Sequence, residues 1–185
     1  MNANILKLFS VILIATFFSS CGDDDKDSEY DKSYIVGNYS GTCTVSYGSK
    51  GNFVYNKFPV NFVKDSKDTS ILLAMIGDSN TIDETALGDM SVTASHFKSN
   101  SLYAYFRMSS ISDEFSSSNI PSFIRELAPL YDIQKAVLTL SCNDVATYEP
   151  NSGQLSFEYT GKVVITSKDG QSSTVNLSYA FDLKK

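Results

Sequence analysis

The last segment of the chain alternates almost without interruption between apolar and polar side chains. The apolar positions are Val175, Leu177, Tyr179, Phe181 and Leu183. The positions between them are polar, Asn176, Ser178 and Asp182, except for Ala180. Side chains of a β-strand point alternately to opposite faces, so this period of two indicates a strand with one buried face. A chain built from such segments is restricted to an all-β fold.

Similar alternation recurs along the chain between polar or glycine-containing turns. It predicts about eight strands, which cover residues 34–47, 53–63, 71–76, 90–94, 102–108, 136–142, 155–165 and 175–183. Strands at such short intervals favour an antiparallel up-and-down β-barrel or a sandwich, and the pattern alone does not choose between them. In a barrel the first strand, from Tyr34, and the last, to Leu183, would pair and remove the open sheet edges.

Residues 109–133 depart from this pattern and are predicted to form a loop and helix insertion. Serine and acidic residues dominate the first half of the insertion. The second half has a polar cap, a proline in the first turn and apolar residues at helical spacing: Asn119, Pro121, Phe123, Ile124 and Leu127. This arrangement predicts one short helix, which Pro129 ends.

Length and charge limit the function classes. Residues 34–185 are enough for one domain that buries its core without a metal or disulfide. The chain carries a formal net charge of −6. An acidic chain is not expected to bind nucleic acid or anionic lipid as its main partner, because both require a basic surface.

Residues 1–20 have the pattern of a secretory signal. Lys7 is the only charged side chain, an apolar run follows it, and the run ends in Ser19, Ser20 and Cys21. The run is too short to span a bilayer comfortably. Small residues directly before a cysteine resemble the bacterial lipobox, which implies cleavage between Ser20 and Cys21 and a diacylglycerol on the Cys21 sulfur. The alternative is a plain signal peptide with an unmodified Cys21.

Residues 21–33 are predicted to form a flexible tether. Asp23, Asp24, Asp25, Asp27, Glu29 and Asp31 follow Cys21 closely. Dense like charges repel one another and remain solvated. The Cys-Gly-Asp-Asp-Asp start resembles Bacteroidetes lipoproteins, in which acidic residues after the cysteine favour export to the cell surface. This implies an outer-membrane lipoprotein anchored in the lipid bilayer and exposed at the surface, with a periplasm-facing protein as the alternative.

The first strand carries a further resemblance. Gly37, Tyr39 and Gly41 form a Gly-x-Tyr-x-Gly pattern. Together with the leader, the tether and the long last strand, it resembles uncharacterised Bacteroides lipoproteins with a calycin-like (lipocalin-like) β-barrel. The resemblance implies a fold and a location, and it implies no activity.

No set of side chains in the sequence indicates catalysis, a metal site or a cofactor. His96 is the only histidine and lies in a serine-rich stretch. The acidic loop that contains Asp78 and Asp83 lacks the spacing of a calcium-binding EF-hand loop. No catalytic or metal-binding residue is therefore predicted, and an enzyme is the least favoured function.

Cys43 and Cys142 both lie on apolar faces of predicted strands. In an oxidising envelope they could form a disulfide that closes a long loop. Alternatively they are two buried thiols that do not meet, because a sequence does not reveal the distance between their Cα atoms. Both alternatives stay open at this point.

The favoured function is a membrane-anchored ligand-binding or interaction module of the cell envelope. A small barrel can hold an apolar ligand, and Tyr103, Tyr105 and Phe106 are the predicted cavity-lining residues. The alternative is an accessory envelope protein that binds another surface protein through a sheet edge or the 109–133 insertion.

Overall fold

The computed structural model describes residues 31–48 and 51–185. The predicted signal peptide, its cleavage site at Ser20 and Cys21, and the tether as far as residue 30 lie outside the described residues. The last residues of the predicted tether belong to the folded body, because Lys32–Tyr34 forms a 3-10 turn that leads into the first strand.

The described chain contains ten antiparallel strands and two short α-helices. The strands are β1 (Gly37–Ser46), β2 (Asn52–Lys64), β3 (Leu72–Ile76), β4 (Met90–Ser99), β5 (Ala104–Met108), β6 (Ile111–Ser116), β7 (Ile133–Ser141), β8 (Ala146–Glu149), β9 (Gln154–Ser167) and β10 (Ser172–Lys184). The helices are α1 (Ile82–Thr85) and α2 (Ser122–Leu127). The all-β prediction is confirmed.

Eight of the strands close into a barrel-like ring. Its order is β1-β2-β3-β4-β5-β8-β9-β10, and β10 pairs back onto β1. Cys43 lies opposite Phe181 in this closing ladder, so the first and last strands pair as the sequence predicts. The remaining strands, β7 and β6, branch from β9, and β6 is the last strand of the sheet.

The branch arises because two long strands are interrupted. Residues 109–110 separate β5 from β6, and residues 142–145 separate β7 from β8. β8 pairs with the first residues of β9, and β7 pairs with β9 from Thr160 onward. The strands that follow these interruptions, β6 and β8, lie outside the eight predicted strands and bring the number in the described chain to ten.

The predicted insertion is shorter in the structure than in the sequence interpretation. Residues 111–116 form strand β6, with Ile111 and Phe115 buried at alternate positions, so this half of the 109–133 insertion is not a loop. The predicted short helix is present as α2 and begins directly after Pro121. The expected loop after β3 contains the one-turn helix α1.

Side chains fill the interior of the ring. The predicted apolar face of the last strand is inside, with Leu177, Tyr179, Phe181 and Leu183 buried. Aromatic rings of neighbouring strands stack there, as in the cross-strand pair Phe157 of β9 and Phe181 of β10, whose ring centroids are 4.4 Å apart. Dispersion and apolar burial across this packed interior supply most of the fold's stability.

The ring has two distinct ends. At the N-terminal end, where the described chain enters, the Tyr39 hydroxyl donates to the Ile35 carbonyl (2.7 Å) and the Lys185 ammonium donates to the Tyr34 carbonyl (2.8 Å). The opposite end, here called the helical end, carries the connections 77–89 and 117–132 with α1 and α2. These two helices contact each other, and Leu87 and Ile124 of these connections are fully buried.

Candidate functional site

The predicted cavity-lining residues do not face one space. Phe106 is fully buried inside the ring, where its ring lies 5.8 Å from that of Phe62. Tyr103 and Tyr105 are half-buried and lie against each other on the outer side. Phe106 and Tyr105 lie on opposite sides of the ring wall because neighbouring residues of a strand point to opposite faces.

The two cysteines are free thiols in the structure. Cys43 is buried in β1, and burial raises its thiol pKa from 9.0 to about 12. Cys142 is half-buried at the break between β7 and β8, and its Sγ donates to the Asp144 carbonyl (3.2 Å). Burial raises the pKa of Cys142 to about 11. Both thiols stay protonated near neutral pH, which makes them poor nucleophiles.

Three tyrosines place their hydroxyls on backbone carbonyls at points where the ring is interrupted or capped. Tyr39 donates to Ile35 at the N-terminal end, Tyr159 donates to Ser109 at the break between β5 and β6 (2.8 Å), and Tyr179 donates to Thr85 in α1 (2.8 Å). Burial raises the pKa of Tyr159 and of Tyr179 well above the ordinary tyrosine value. Each of these hydroxyls is used in a hydrogen bond that stabilises the fold, so we do not assign them to a ligand site.

The best-defined clefts lie on the outside of the ring. One of about 390 Å³ lies at the N-terminal end, between the 3-10 turn and residues of the β2–β3 connection such as Lys64, Asp65 and Thr69. Another of about 330 Å³ lies over Gly41, beside Gln154 and Asp182. Both clefts are open to solvent, and most of the residues along them have polar or charged side chains, whereas a cavity for an apolar ligand is enclosed.

His96 lies within strand β4, at a β-bulge. Its backbone has a φ of 55°, and the ladder with β5 shifts register between Ser95 and Lys98. The exposed imidazole Nδ1 lies 2.9 Å from the Ser95 Oγ. In the part of the chain that the structure describes, no group of three His, Cys, Asp or Glu side chains could hold a metal ion.

Strand β6 offers a free backbone edge. β7 pairs with one side of β6 from Ile111 to Ser116, and among residues 31–48 and 51–185 no strand pairs with the other side. We call this unpaired side, over Ser112–Ser116, the β6 edge. An unpaired strand edge presents backbone donors and acceptors to any extended chain.

Local side chains occupy the outward N–H groups of the β6 edge. The Glu114 N–H donates to the Asp113 carboxylate (2.8 Å), and the Ser116 N–H donates to the Asn119 side-chain oxygen (2.7 Å). The N–H groups of Glu114 and Ser116 therefore point away from β7. Such short-range bonds satisfy the backbone while no partner strand is present.

The β6 edge is acidic. Asp113 is half-buried at an inward-facing position between Ile111 and Phe115, and Glu114 is exposed. Glu114 pairs with Lys135 of β7 (2.7 Å). Asp83 of α1 accepts from the Ser122 N–H at the start of α2 (3.4 Å). Within the described residues, the two salt bridges include neither Asp83 nor Asp113.

Apolar exposure is concentrated at a few positions. Leu130 has the largest, with 96% of its surface exposed in the connection after α2. Leu102, in the first position of the predicted strand 102–108, is 57% exposed in the turn before β5.

No helix among the described residues has the length and apolarity needed to cross a membrane.

Sequence reasoning missed the β6 edge because Ser112, Asp113 and Glu114 made the segment look like a loop. The signal was present in the spacing of Ile111 and Phe115, which are four residues apart and therefore on the same face of a strand. An inward-facing acid between them broke the apolar pattern.

Comparisons with known proteins identify no relative. No protein-family model matches the chain, and neither the curated proteins nor the solved structures contain a significant match.

Proposed function

We propose that the chain is a lipid-anchored envelope protein whose barrel-like body binds another protein through its outer surface. The observation that carries this proposal is the filled interior. Fully buried aromatic side chains such as Phe58, Phe62 and Phe106 occupy the space in which a small barrel would hold a ligand. Recognition by such a body takes place on the outside.

The direction of the proposed anchor supports this use of the surface. Asp31 lies at the N-terminal end of the ring, and the segment from Cys21 to Asp31 reaches about 35 Å when fully extended. With diacylglycerol on Cys21, the tether would be attached at the N-terminal end of the ring, and the helical end would be the end far from that attachment. The exposed Leu130 and the β6 edge both belong to that half of the molecule.

Anchoring is tested by replacing the proposed acylated cysteine. Cells that express the protein are labelled with radioactive palmitate, and the Cys21→Ala variant is compared with the unmodified sequence. We expect label and membrane partitioning in the original, and loss of both in the variant. Unchanged membrane partitioning in Cys21→Ala would rule out this anchor.

Protein binding is tested by photo-cross-linking in intact cells. A photoreactive amino acid at Leu130 should give a discrete adduct, and the same group at Asn176, an exposed position on β10, serves as the control. Equal adducts at both positions would contradict a specific surface at the helical end.

The small-ligand alternative makes a different prediction. Organic extraction of the folded protein followed by mass spectrometry should then release an apolar compound in a 1:1 ratio to protein, on the order expected for one enclosed site. We expect no such compound, and its recovery would overturn the interaction-module proposal.

A further inference from the structure

We propose that the β6 edge binds an extended, lysine- or arginine-containing segment of a partner protein by adding that segment as a strand. This inference rests on the interaction function proposed above and identifies the β6 edge as the binding surface. Extended peptides bind exposed sheet edges through main-chain hydrogen bonds, and side-chain contacts then set the specificity.

The backbone of the β6 edge is ready for such pairing. The outward N–H groups of Glu114 and Ser116 are held only by the side-chain oxygens of Asp113 and Asn119. A carbonyl oxygen of an added strand can take the place of either oxygen. The exchange leaves the backbone satisfied and frees the Asp113 carboxylate to accept from a cation.

The edge lacks two common devices that prevent strand addition, although it carries a third, the inward-facing charge of Asp113. Natural edge strands are often protected by lysine or by proline, and neither occurs in residues 111–116. The ladder also ends here, because β4 pairs with β5 and with β3 but not with β6. Thr93 of β4 exchanges two hydrogen bonds with Ser109, just before β6, and among the described strands no ladder joins β4 to residues 111–116.

Charge selects the partner. An antiparallel pair of two β6 edges centred on Asp113 or on Glu114 would place that acid opposite the same acid in the second copy. Like charges directly opposite one another destabilise a strand pair. A second copy of this chain is therefore disfavoured, and a strand with basic side chains would meet Asp113, which is in neither of the salt bridges of the described residues.

Two peptides of the same length test the proposal. Both alternate valine and threonine with charged residues, and they differ only in carrying lysine or glutamate at the charged positions. The purified protein is labelled with ¹⁵N and titrated with each peptide to about 1 mM, which detects binding as weak as about 4 kcal/mol. We expect saturable amide shifts at Ser112, Glu114 and Ser116 with the lysine peptide only.

Two controls separate strand addition from charge attraction. A lysine peptide that is methylated on every backbone nitrogen cannot donate backbone hydrogen bonds from either edge and should not bind. Asp113→Asn keeps the side-chain oxygen that holds the Glu114 N–H and removes the charge. It should weaken lysine-peptide binding about threefold to fivefold, as expected for one partly exposed charge pair. Glu158→Gln removes one exposed charge from β9, whose two edges are both paired, and should change binding less than about twofold.

Several results would overturn the proposal. These are no saturable shifts, equal binding of the glutamate peptide, binding of the N-methylated peptide, or equal effects of Asp113→Asn and Glu158→Gln. The experiment does not depend on Cys21. Anchoring and cross-linking at Leu130 that persist without peptide binding would therefore reject the β6 edge and leave the proposed function standing.

Discussion

Gly161 lies in the middle of β9, and the backbone of the paired strand β7 lies very close to it. A Cβ at this position would overlap the Thr139 carbonyl oxygen and crowd the Leu140 Cα. Gly41 has the same relation to the Asp182 carbonyl oxygen in β10. At both positions a side chain is excluded by neighbouring backbone, which cannot move aside without breaking a ladder.

We therefore expect Gly161→Ala to lower the free energy of unfolding by about 1–3 kcal/mol or more, as other overpacked sites do. Urea denaturation followed by circular dichroism measures the change. Asn176→Ala, an exposed position on β10, should shift it by less than about 0.5 kcal/mol. If the two substitutions changed the free energy of unfolding equally, the prediction would be wrong, because the crowding at Gly161 would then be relieved at little energetic cost.

The three cysteines make a second prediction at the residue scale. Cys43 and Cys142 are shielded and hold raised thiol pKa values, so iodoacetamide should react slowly with the folded protein at neutral pH. In denaturant without reductant both should react. An acylated Cys21 has no free thiol, so mass spectrometry should find two labels on the anchored protein and three on unprocessed chain. Absence of labels at Cys43 and Cys142 before reduction would instead indicate a disulfide.

At the scale of elements, buried tyrosine hydroxyls hold the irregular parts of the sheet. Tyr179 ties the last strand to α1, and Tyr159 ties β9 to the break before β6. Each bond links residues far apart in sequence, and the bond from Tyr179 supplies a donor to the carbonyl of the buried Thr85. This explains why polar-tipped aromatics, and not only phenylalanine, occupy the interior.

Tyr179→Phe should therefore destabilise the protein by about 1–3 kcal/mol, the cost of leaving the Thr85 carbonyl unsatisfied. Thermal and urea unfolding measure it. Tyr55→Phe is the matched control, because Tyr55 packs edge-on against Phe58 and its hydroxyl makes no hydrogen bond within the described residues. A Tyr179→Phe variant as stable as Tyr55→Phe would contradict the structural role of the hydroxyl.

Strand faces were predictable from the sequence, whereas strand breaks were not. The apolar faces of β1 and β10 and their pairing follow from a period of two and from the need to close the sheet. The breaks at 109–110 and 142–145 depend on how β9 divides its edge between β7 and β8, which is a long-range relation. The same limit applies to the candidate site. The β6 edge is unpaired because β4 pairs with β5 and has no ladder with β6, which is again a long-range relation.

For the whole molecule, alkaline pH should reduce stability. Burial raises the folded-state pKa of Cys43 to about 12, while an unfolded thiol ionises near its ordinary value of 9.0. Below pH 9 both states keep the proton, and above it only the folded state does. The stabilising difference is thus lost as the pH rises from about 9 toward 12, by about 1.4 kcal/mol for each such proton per pH unit. Tyr159 and Tyr179 act in the same direction.

Urea denaturation at about pH 8 and pH 10.5 measures this slope, which proton linkage predicts to be negative. A Cys43→Ala, Cys142→Ala double variant should show a shallower decline, whatever its stability at pH 8. Stability that is unchanged or higher at the alkaline pH would contradict the buried, protonated state of the thiols.

The pairing of β1 with β10 brings the two termini of the body to one end of the ring, where Lys185 touches Tyr34. A reporter protein fused after Lys185 would emerge beside the point from which the tether departs and would crowd any surface to which the tether is attached. The hairpin at residues 168–171, at the other end, is the better place to insert an epitope. The same adjacency permits a circularly permuted chain, in which a short linker joins the old termini and new ones open in that hairpin.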